Sequence, residues 1–241
     1  MSERRDRAIK LASAIAFLAV AAVAVLIVIS QSQSSGGDAG NIEGAAEVDA
    51  LLGEGTRRGE VTQVRLVLTK SAATVRLVEF GDLQCPNCRA FAESILPQVI
   101  EGPVRQGKAG IEFRNYTIIG SESVAAAAAA LAASAQGHGW NFIELFYRNQ
   151  GEENSGYVTD EFLTAVARAA GVLDIAGWNR DRKSKAVLAE VEETTTEARE
   201  LGFTGTPSFA IEGPGTNGLE TLGLPSSAGD LEAAIATAGH K

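Results

Sequence analysis

Cysteine and histidine are both scarce in this chain of 241 residues, which contains two of each. Two cysteines cannot build a disulfide framework, so packing has to stabilise the fold. A zinc site needs about four ligands, yet His138 lies within a Gly-His-Gly sequence and His240 is the penultimate residue. The sequence therefore predicts no metal site.

Positive charge is also in short supply. The chain has 21 Lys and Arg against 30 Asp and Glu, which gives a formal net charge of −9. A nucleic-acid-binding surface needs clustered Lys and Arg, so no nucleic-acid partner is expected. The length allows one domain with a substantial core, or two small ones.

The N-terminal region contains nineteen residues without a charge, Leu11–Ile29, preceded by Arg4, Arg5, Arg7 and Lys10. A helix of this length would span about 28 Å, close to the roughly 30 Å hydrocarbon core of a bilayer. The leading basic residues predict a cytoplasmic segment at 1–10, a single-pass anchor in the lipid bilayer at 11–29, and an extracytoplasmic remainder.

Two alternatives to the anchor remain open. A cleavable signal peptide would usually have an apolar region of about 7–15 residues followed by an Ala-x-Ala-like site. Here the small-residue triplets Ala12–Ala14 and Ala22–Ala24 lie inside the apolar run. A buried core helix is the other alternative, which the four leading cations disfavour.

The segment after the anchor is weakly patterned. Ser30–Gly40 is rich in Ser, Gln and Gly, a composition typical of flexible linkers. We predict a linker over 30–59, within which Val48, Leu51 and Leu52 allow a short helix. Residues 60–241 are predicted to form the folded domain.

Both cysteines lie in Val75–Arg89, which reads VRLVEFGDLQCPNCR. An apolar run predicts a strand before Gly81, and the apolar residues after Cys88 recur at helical spacing. Cys85 is thus expected at a helix N-terminus, where unpaired N–H groups and the helix dipole favour a thiolate. Cys85 is the predicted attacking thiol and Cys88 the resolving one. A purely structural disulfide is the alternative, although so short a loop would stabilise the fold little.

The remaining pattern predicts an α/β domain with a helical insertion at about 121–201. Predicted strands are Glu60–Thr69, Val75–Phe80, Ile111–Ile119 and Pro207–Ile211, with a hairpin return at Leu219–Leu222. Gly102-Pro103 should end the helix that follows the cysteines. Later helices are predicted at Ser123–Ser134, Trp140–Arg148, Asp160–Ala170, Arg182–Leu201 and Ser226–Ala238. A strand–helix–strand unit around the cysteines predicts parallel neighbouring strands.

Two motifs, VEFGDLQCPNC at Val78–Cys88 and GFTGTPSF at Gly202–Phe209, resemble those of the DsbA-like proteins. These are thioredoxin-fold thiol–disulfide oxidoreductases of the bacterial cell envelope. The resemblance covers about residues 60–238. It implies a thioredoxin fold with an inserted helical domain, here preceded by the N-terminal transmembrane helix. It also implies a redox-active cysteine disulfide without an organic cofactor, exported cysteine-containing substrates, and a membrane redox partner that resets the pair.

The resemblance assigns roles around the two cysteines. Cys85 matches the nucleophile and Cys88 the resolving cysteine, while Pro86 and Asn87 occupy the dipeptide that tunes the redox potential. The best-known oxidases have histidine in that dipeptide, where its positive charge helps stabilise the thiolate. Asn87 can only hydrogen-bond, so the direction of the redox reaction stays open.

Three further residues receive roles from the same resemblance. Thr206 and Pro207 match a loop whose proline is cis and whose backbone binds an extended substrate peptide. Glu79 lies where related proteins carry a buried acid that assists proton transfer from the resolving thiol. The alternative for Glu79 is an ordinary charged residue at a strand end.

These features predict a membrane-anchored extracytoplasmic oxidoreductase that introduces disulfides into exported proteins. A reductase or isomerase would share every residue and differ in redox potential. A different class of function, a non-catalytic adaptor that holds extended peptides beside Pro207, also fits the pattern.

Overall fold

The structure, a computed structural model, describes residues 41–53, 61–70 and 73–240. Six strands in these ranges form one sheet in the order β1-β2-β4-β3-β5-β6. The strands are β1 (Thr62–Val64), β2 (Val67–Thr69), β3 (Val75–Gly81), β4 (Ala109–Asn115), β5 (Ser208–Glu212) and β6 (Glu220–Leu222).

The helices are α1 (Ala45–Leu52), α2 (Pro86–Ser94), α3 (Leu96–Val99), α4 (Ser121–Ser134), α5 (Gly139–Arg148), α6 (Asp160–Ala169), α7 (Ile175–Asp181), α8 (Lys185–Glu200) and α9 (Ala228–Gly239). A π-helical turn, Ile100–Val104, continues α3. Helices α4–α8 lie in sequence between β4 and β5, where the helical insertion is predicted. This arrangement confirms the predicted α/β architecture.

The central strand β3 positions the site. It pairs in parallel with β4 and antiparallel with β5, as the strand–helix–strand pattern predicts. Six of its seven residues are buried, because helices cover both faces and the apolar run needs no alternation. β3 therefore delivers the chain that follows Gly81 to the middle of the sheet edge.

The prediction of a single strand over Glu60–Thr69 is wrong, because residues 62–69 form a tight β-hairpin. β1 and β2 pair antiparallel, with Val64 opposite Val67. The turn requires Arg65 to adopt a left-handed conformation with φ 56°. Hairpin turns of this kind usually contain Gly, Asn or Asp, and the absence of such a residue conceals this turn in the sequence.

The predicted strand Ile111–Ile119 is too long, since β4 ends at Asn115. Beyond it, the backbone N–H of Thr117 donates to the Thr195 hydroxyl. Those of Ile118 and Ile119 donate to the Asp82 carboxylate. These donors bind side chains instead of a neighbouring strand, so the strand cannot continue.

Two helix boundaries also differ from prediction. The helix predicted at Arg182–Leu201 begins at Lys185, because Ser184 has extended backbone angles and its side chain accepts the Val187 N–H. Gly102-Pro103 does not end the helical path. Gly102 leaves the helical region, but the chain completes the π-helical turn to Val104.

Side chains cap the N-termini of two helices. The Thr159 side chain accepts the Phe162 N–H at the start of α6. Ser227 and Asp230 form a capping box at the start of α9. These contacts satisfy N–H groups that have no partner inside a helix.

Helix α1 corrects the predicted linker. Its Val48, Leu51 and Leu52 are buried in the main core, and Arg105 donates a hydrogen bond to the Leu51 carbonyl. Residues 45–52 therefore belong to the folded domain. A helix this short is not stable by itself and forms only when it packs against the core, so the sequence pattern alone gives little indication of it.

No helix within the described ranges has both the length and the apolar character needed to cross a bilayer. The predicted anchor at 11–29, the segment 1–10 and most of the predicted linker lie outside those ranges.

Candidate active site

The two cysteines lie where β3 passes into α2. Cys85 is the N-cap residue of α2 with extended backbone angles, and Pro86 occupies the first turn, where its missing N–H costs nothing. Both cysteines are buried and carry free thiols, whereas Pro86 and Asn87 are exposed. The exposed dipeptide thus covers a pair whose reactive atoms open only narrowly to solvent.

The pKa of the Cys85 thiol is lowered to about 6. A hydrogen bond with the Cys88 side chain is the largest cause, and burial opposes it. The Thr206 side chain and the backbone N–H groups of Cys88 and Asn87 lower the pKa further. The helix N-terminus contributes as the sequence predicts, but the neighbouring thiol contributes more.

Cys88 has the opposite electrostatic environment. Burial raises its pKa well above the usual value, and the hydrogen bond to Cys85 and the charge of Glu79 act in the same direction. The pair is therefore asymmetric. Cys85 forms a thiolate near neutral pH, whereas Cys88 retains its proton.

The structure brings the cysteine pair together with the loop before β5. The Cys85 thiol lies 3.3 Å from the Thr206 carbonyl oxygen, to which it can donate. The Thr206–Pro207 peptide bond is cis, as the resemblance implies. Thr206 and Pro207 are half-buried, so part of the loop faces solvent beside Cys85.

Glu79 lies inside the sheet, 1% exposed, and not at an exposed strand end. Its Oε1 atom has no hydrogen-bond partner. Burial raises its pKa well above the usual value, followed by the charges of Glu144 and Cys85. Burial thus favours the protonated form of Glu79, which lies close enough to both cysteines to interact with their charges.

Sequence reasoning missed the residues that hold the cysteine loop. The buried Asp82 carboxylate accepts the N–H groups of Gln84, Ile118 and Ile119. Gln150, two residues after α5, donates to the carbonyl oxygens of Leu83 and Cys85. The position of Asp82 three residues before the first cysteine was the only available signal.

A second buried acid was also missed. Glu144 on α5 is 2% exposed and, like Glu79, has an Oε1 atom without a partner. Burial raises its pKa to about 8. On the same helix, the Tyr147 hydroxyl lies 3.3 Å from the Asp82 carbonyl oxygen. A lone acid within the aromatic stretch Trp140–Arg148 was a usable sequence signal.

The sequence is similar to proteins of known family. The sequence profile of the thioredoxin family matches residues 62–223. The probable disulfide bond formation protein D of Bacillus cereus is 31% identical over 149 residues, which is 61% of this chain and 69% of that protein. Disulfide bond formation protein D of Bacillus subtilis is 24% identical over 165 residues, 68% of this chain and 72% of that protein.

Solved structures share the fold. Oxidised BdbD from Bacillus subtilis matches with a TM-score of 0.63 at 21% identity, covering 76% of this chain and 95% of that one. A thioredoxin-like oxidoreductase from Silicibacter pomeroyi matches with a TM-score of 0.56 at 27% identity, covering 78% and 95%. With its asymmetric cysteine pair beside a cis-proline loop, the chain belongs to the thioredoxin family, among the DsbA-like thiol–disulfide oxidoreductases.

Proposed function

We propose that this protein is a membrane-anchored oxidoreductase that introduces disulfides into exported proteins through the Cys85–Cys88 pair. The observation that carries the proposal is the Cys85 thiol, whose pKa is lowered to about 6 at the N-terminus of α2. Selective stabilisation of this thiolate favours the reduced form of the pair, which makes the disulfide form a stronger oxidant. The relatives named for disulfide bond formation support the same direction.

The reaction begins with the oxidised pair. A substrate thiolate attacks the sulfur of Cys85, which breaks the Cys85–Cys88 bond and forms a mixed disulfide. Cys88 leaves as a thiolate and takes a proton from Glu79. A second substrate thiolate then attacks the substrate sulfur and expels Cys85. The substrate loses two electrons, which the cysteine pair gains, and the low pKa of Cys85 makes it a good leaving group.

The loop at Thr206 and Pro207 is proposed to bind the substrate. Its half-buried backbone lies beside Cys85, where an extended peptide can pair with it as an added strand. This would align a substrate cysteine with the reactive sulfur. No organic cofactor or metal is required, because the cysteine pair itself carries the electrons.

Membrane attachment and location are proposed from the sequence. Leu11–Ile29, with its leading basic residues, would anchor the chain and leave the cysteine pair outside the cytoplasm. A redox partner in the same membrane would reoxidise the reduced pair. The prediction is an integral membrane protein whose C-terminal domain is accessible to protease added outside the cell, and release of the intact domain by a salt wash would contradict it.

Trapping tests the redox function. In the Cys88→Ser variant, a substrate bound to Cys85 cannot be released by the resolving thiol. We expect this variant to accumulate mixed disulfides with exported proteins. A reducing agent should cleave these disulfides. The Cys85→Ser variant is the matched control and should form none. Equal adducts in both variants would contradict the role of Cys85, and no adducts in either would favour a non-catalytic adaptor.

A further inference from the structure

Glu144 is a buried acid for which the reaction described above has no use. It lies on α5, away in sequence from both redox motifs, and is 2% exposed. Its Oε1 atom and that of Glu79 are both buried without a hydrogen-bond partner. Unpartnered buried polar atoms cost free energy and are rare in native proteins. Two such atoms near a redox-active cysteine pair indicate that these carboxyl groups have a function in the reaction.

The sheet places Glu79 on the face that α2 and α5 cover. Glu79 lies opposite Phe113 on β4 and Phe209 on β5, and residues opposite each other share one face of a sheet. On that face Phe209 packs against Phe91 of α2, with ring centroids 4.8 Å apart. Phe113 packs edge-on against Trp140 of α5. The Glu79 carboxyl therefore points into the space between α2 and α5.

Glu144 is buried on α5 and lies close enough to Glu79 for its charge to raise the pKa of Glu79. The charge of Glu79 in turn raises the pKa of Cys88. Tyr147 lies one turn from Glu144, and its hydroxyl lies 3.3 Å from the Asp82 carbonyl oxygen. Burial raises the pKa of Tyr147, and the charges of Cys88 and Glu79 raise it further. Cys88, Glu79 and Glu144 thus form a series of proton-carrying groups that runs inward from the redox pair.

The series continues toward the surface. Arg148, one turn after Glu144 and half-buried, has a buried Nε atom without a partner. Glu93 on α2 has an exposed side chain and is close enough to act on Glu144. Orphaned polar atoms of this kind are the ones that buried water satisfies. Water bound at these atoms would connect Glu79, Glu144 and Arg148 into a polar route between Cys88 and solvent.

Other charged groups on the helices packed around α5 are directed elsewhere. Glu122 on α4 accepts backbone N–H groups of Gly156 and Val158. The charged residues of α1 and α6 are exposed: Glu47, Asp49, Asp160, Glu161 and Arg168. Arg89 on α2 pairs with Glu93. Arg148 and Glu93 are therefore the charged groups that act on Glu144, and the charge of Glu144 acts in turn on Glu79.

We propose that Glu144 is a positioning residue of the redox reaction, which holds the proton that Glu79 exchanges with Cys88 and passes it to and from solvent. This inference rests on the proposed function. When the Cys85–Cys88 bond breaks, the Cys88 thiolate takes the proton of Glu79, and the resulting carboxylate takes the proton of Glu144. Solvent on the Arg148 side then reprotonates Glu144. When the pair is reoxidised, the same proton leaves by the reverse route, so no other reactant is needed.

A double-mutant cycle in the full-length protein tests this proton relay from Cys88 through Glu79 and Glu144 to solvent. We would measure the rate at which the oxidised protein reacts with a dithiol peptide, across pH, for wild type, Glu79→Gln, Glu144→Gln and the double variant. Glu144→Gln should slow the reaction at neutral pH by about tenfold, less than the roughly 10²–10⁴-fold of a direct general acid, because Glu144 acts through Glu79. In the Glu79→Gln background the second substitution should change the rate by less than about twofold, because coupled groups are not additive.

Glu112→Gln is the matched control. Glu112 lies opposite Val78, hence on the other face of the sheet, and its carboxylate pairs with Arg114. This variant removes a carboxylate from β4 without touching the relay, so its rate and pH profile should match those of the wild type. Equal slowing by Glu112→Gln would show that any such substitution perturbs the site and would overturn the proposal.

Two further results would overturn it. Additive effects of Glu79→Gln and Glu144→Gln would show independent roles, and an unchanged pH profile in Glu144→Gln would show no role. If Glu144→Gln does not fold, infrared spectra of the wild-type protein across pH serve instead. They should show two buried protonated carboxyl groups, those of Glu79 and Glu144, whose titrations depend on each other. A single protonated carboxyl group would contradict the proposal. Loss of the relay leaves covalent trapping by Cys88→Ser intact, so its failure is distinct from failure of the proposed function.

Discussion

The Cys85 sulfur and the Thr206 carbonyl oxygen lie 3.3 Å apart, which joins the N-terminus of α2 to the cis-proline loop. These residues are 121 positions apart in sequence. The contact exists because β3 pairs directly with β5, so that the end of one strand meets the start of the other. The reactive thiol and the proposed peptide-binding backbone consequently form one surface.

The hydrogen bonds that lower the pKa of Cys85 predict its reactivity. In the reduced protein, alkylation of Cys85 should increase with a midpoint at about pH 6, while Cys88 stays unreactive. Thr206→Val removes the side-chain hydrogen bond that lowers the pKa, so the midpoint should rise by roughly 0.5 to 1 pH unit. Mass spectrometry of the alkylated protein at a series of pH values measures the midpoint. Thr204→Val, two residues away and exposed, is the control, and an equal shift in both variants would contradict the assignment.

The buried Glu144 predicts a pH-dependent stability. Its pKa is about 4.5 when unfolded and about 8 when folded, so between these values the folded state binds more protons. Its contribution to stability is therefore full below about pH 4.5 and declines as pH rises to about 8. Glu144→Gln should gain stability relative to wild type across that window, as measured by denaturant unfolding. A difference independent of pH would contradict the buried, protonated state.

Helix α1 predicts that the domain begins before residue 60. Leu52 is buried in the core, so Leu52→Ala should lower the free energy of unfolding by about 2–5 kcal/mol. Val64→Ala is the control, because Val64 is 64% exposed and should change stability by no more than about 0.5 kcal/mol. Equal small effects in both variants would place α1 outside the folded unit.

Local patterns predicted the parts of the site that are contiguous in sequence. The apolar run before Gly81 and the helical spacing after Cys88 were sufficient to place Cys85 at a helix N-terminus. The approach of Thr206 to Cys85 followed from the family resemblance, because no local pattern encodes a contact between distant strands. Arg65 shows the converse, since a turn made without Gly or Asn leaves no signal.

The missed residues share one physical property. Asp82, Glu144 and Gln150 act through partners far away in sequence, or through burial that only the complete fold creates. In the sequence, each resembles an ordinary polar residue. Only the complete fold brings the segment after β4 to Asp82 and the end of α5 to the chain before Cys85.

The equilibrium reduction potential of the full-length protein, measured against glutathione, tests the central claim most directly. The pKa of Cys85, about 6, lies between those of thioredoxin, about 7, and of the strong oxidant DsbA, about 3.5. We therefore predict a potential between about −230 and −120 mV, on the oxidising side of thioredoxin at about −270 mV. A value near −270 mV or below would contradict an oxidase and indicate a reductase.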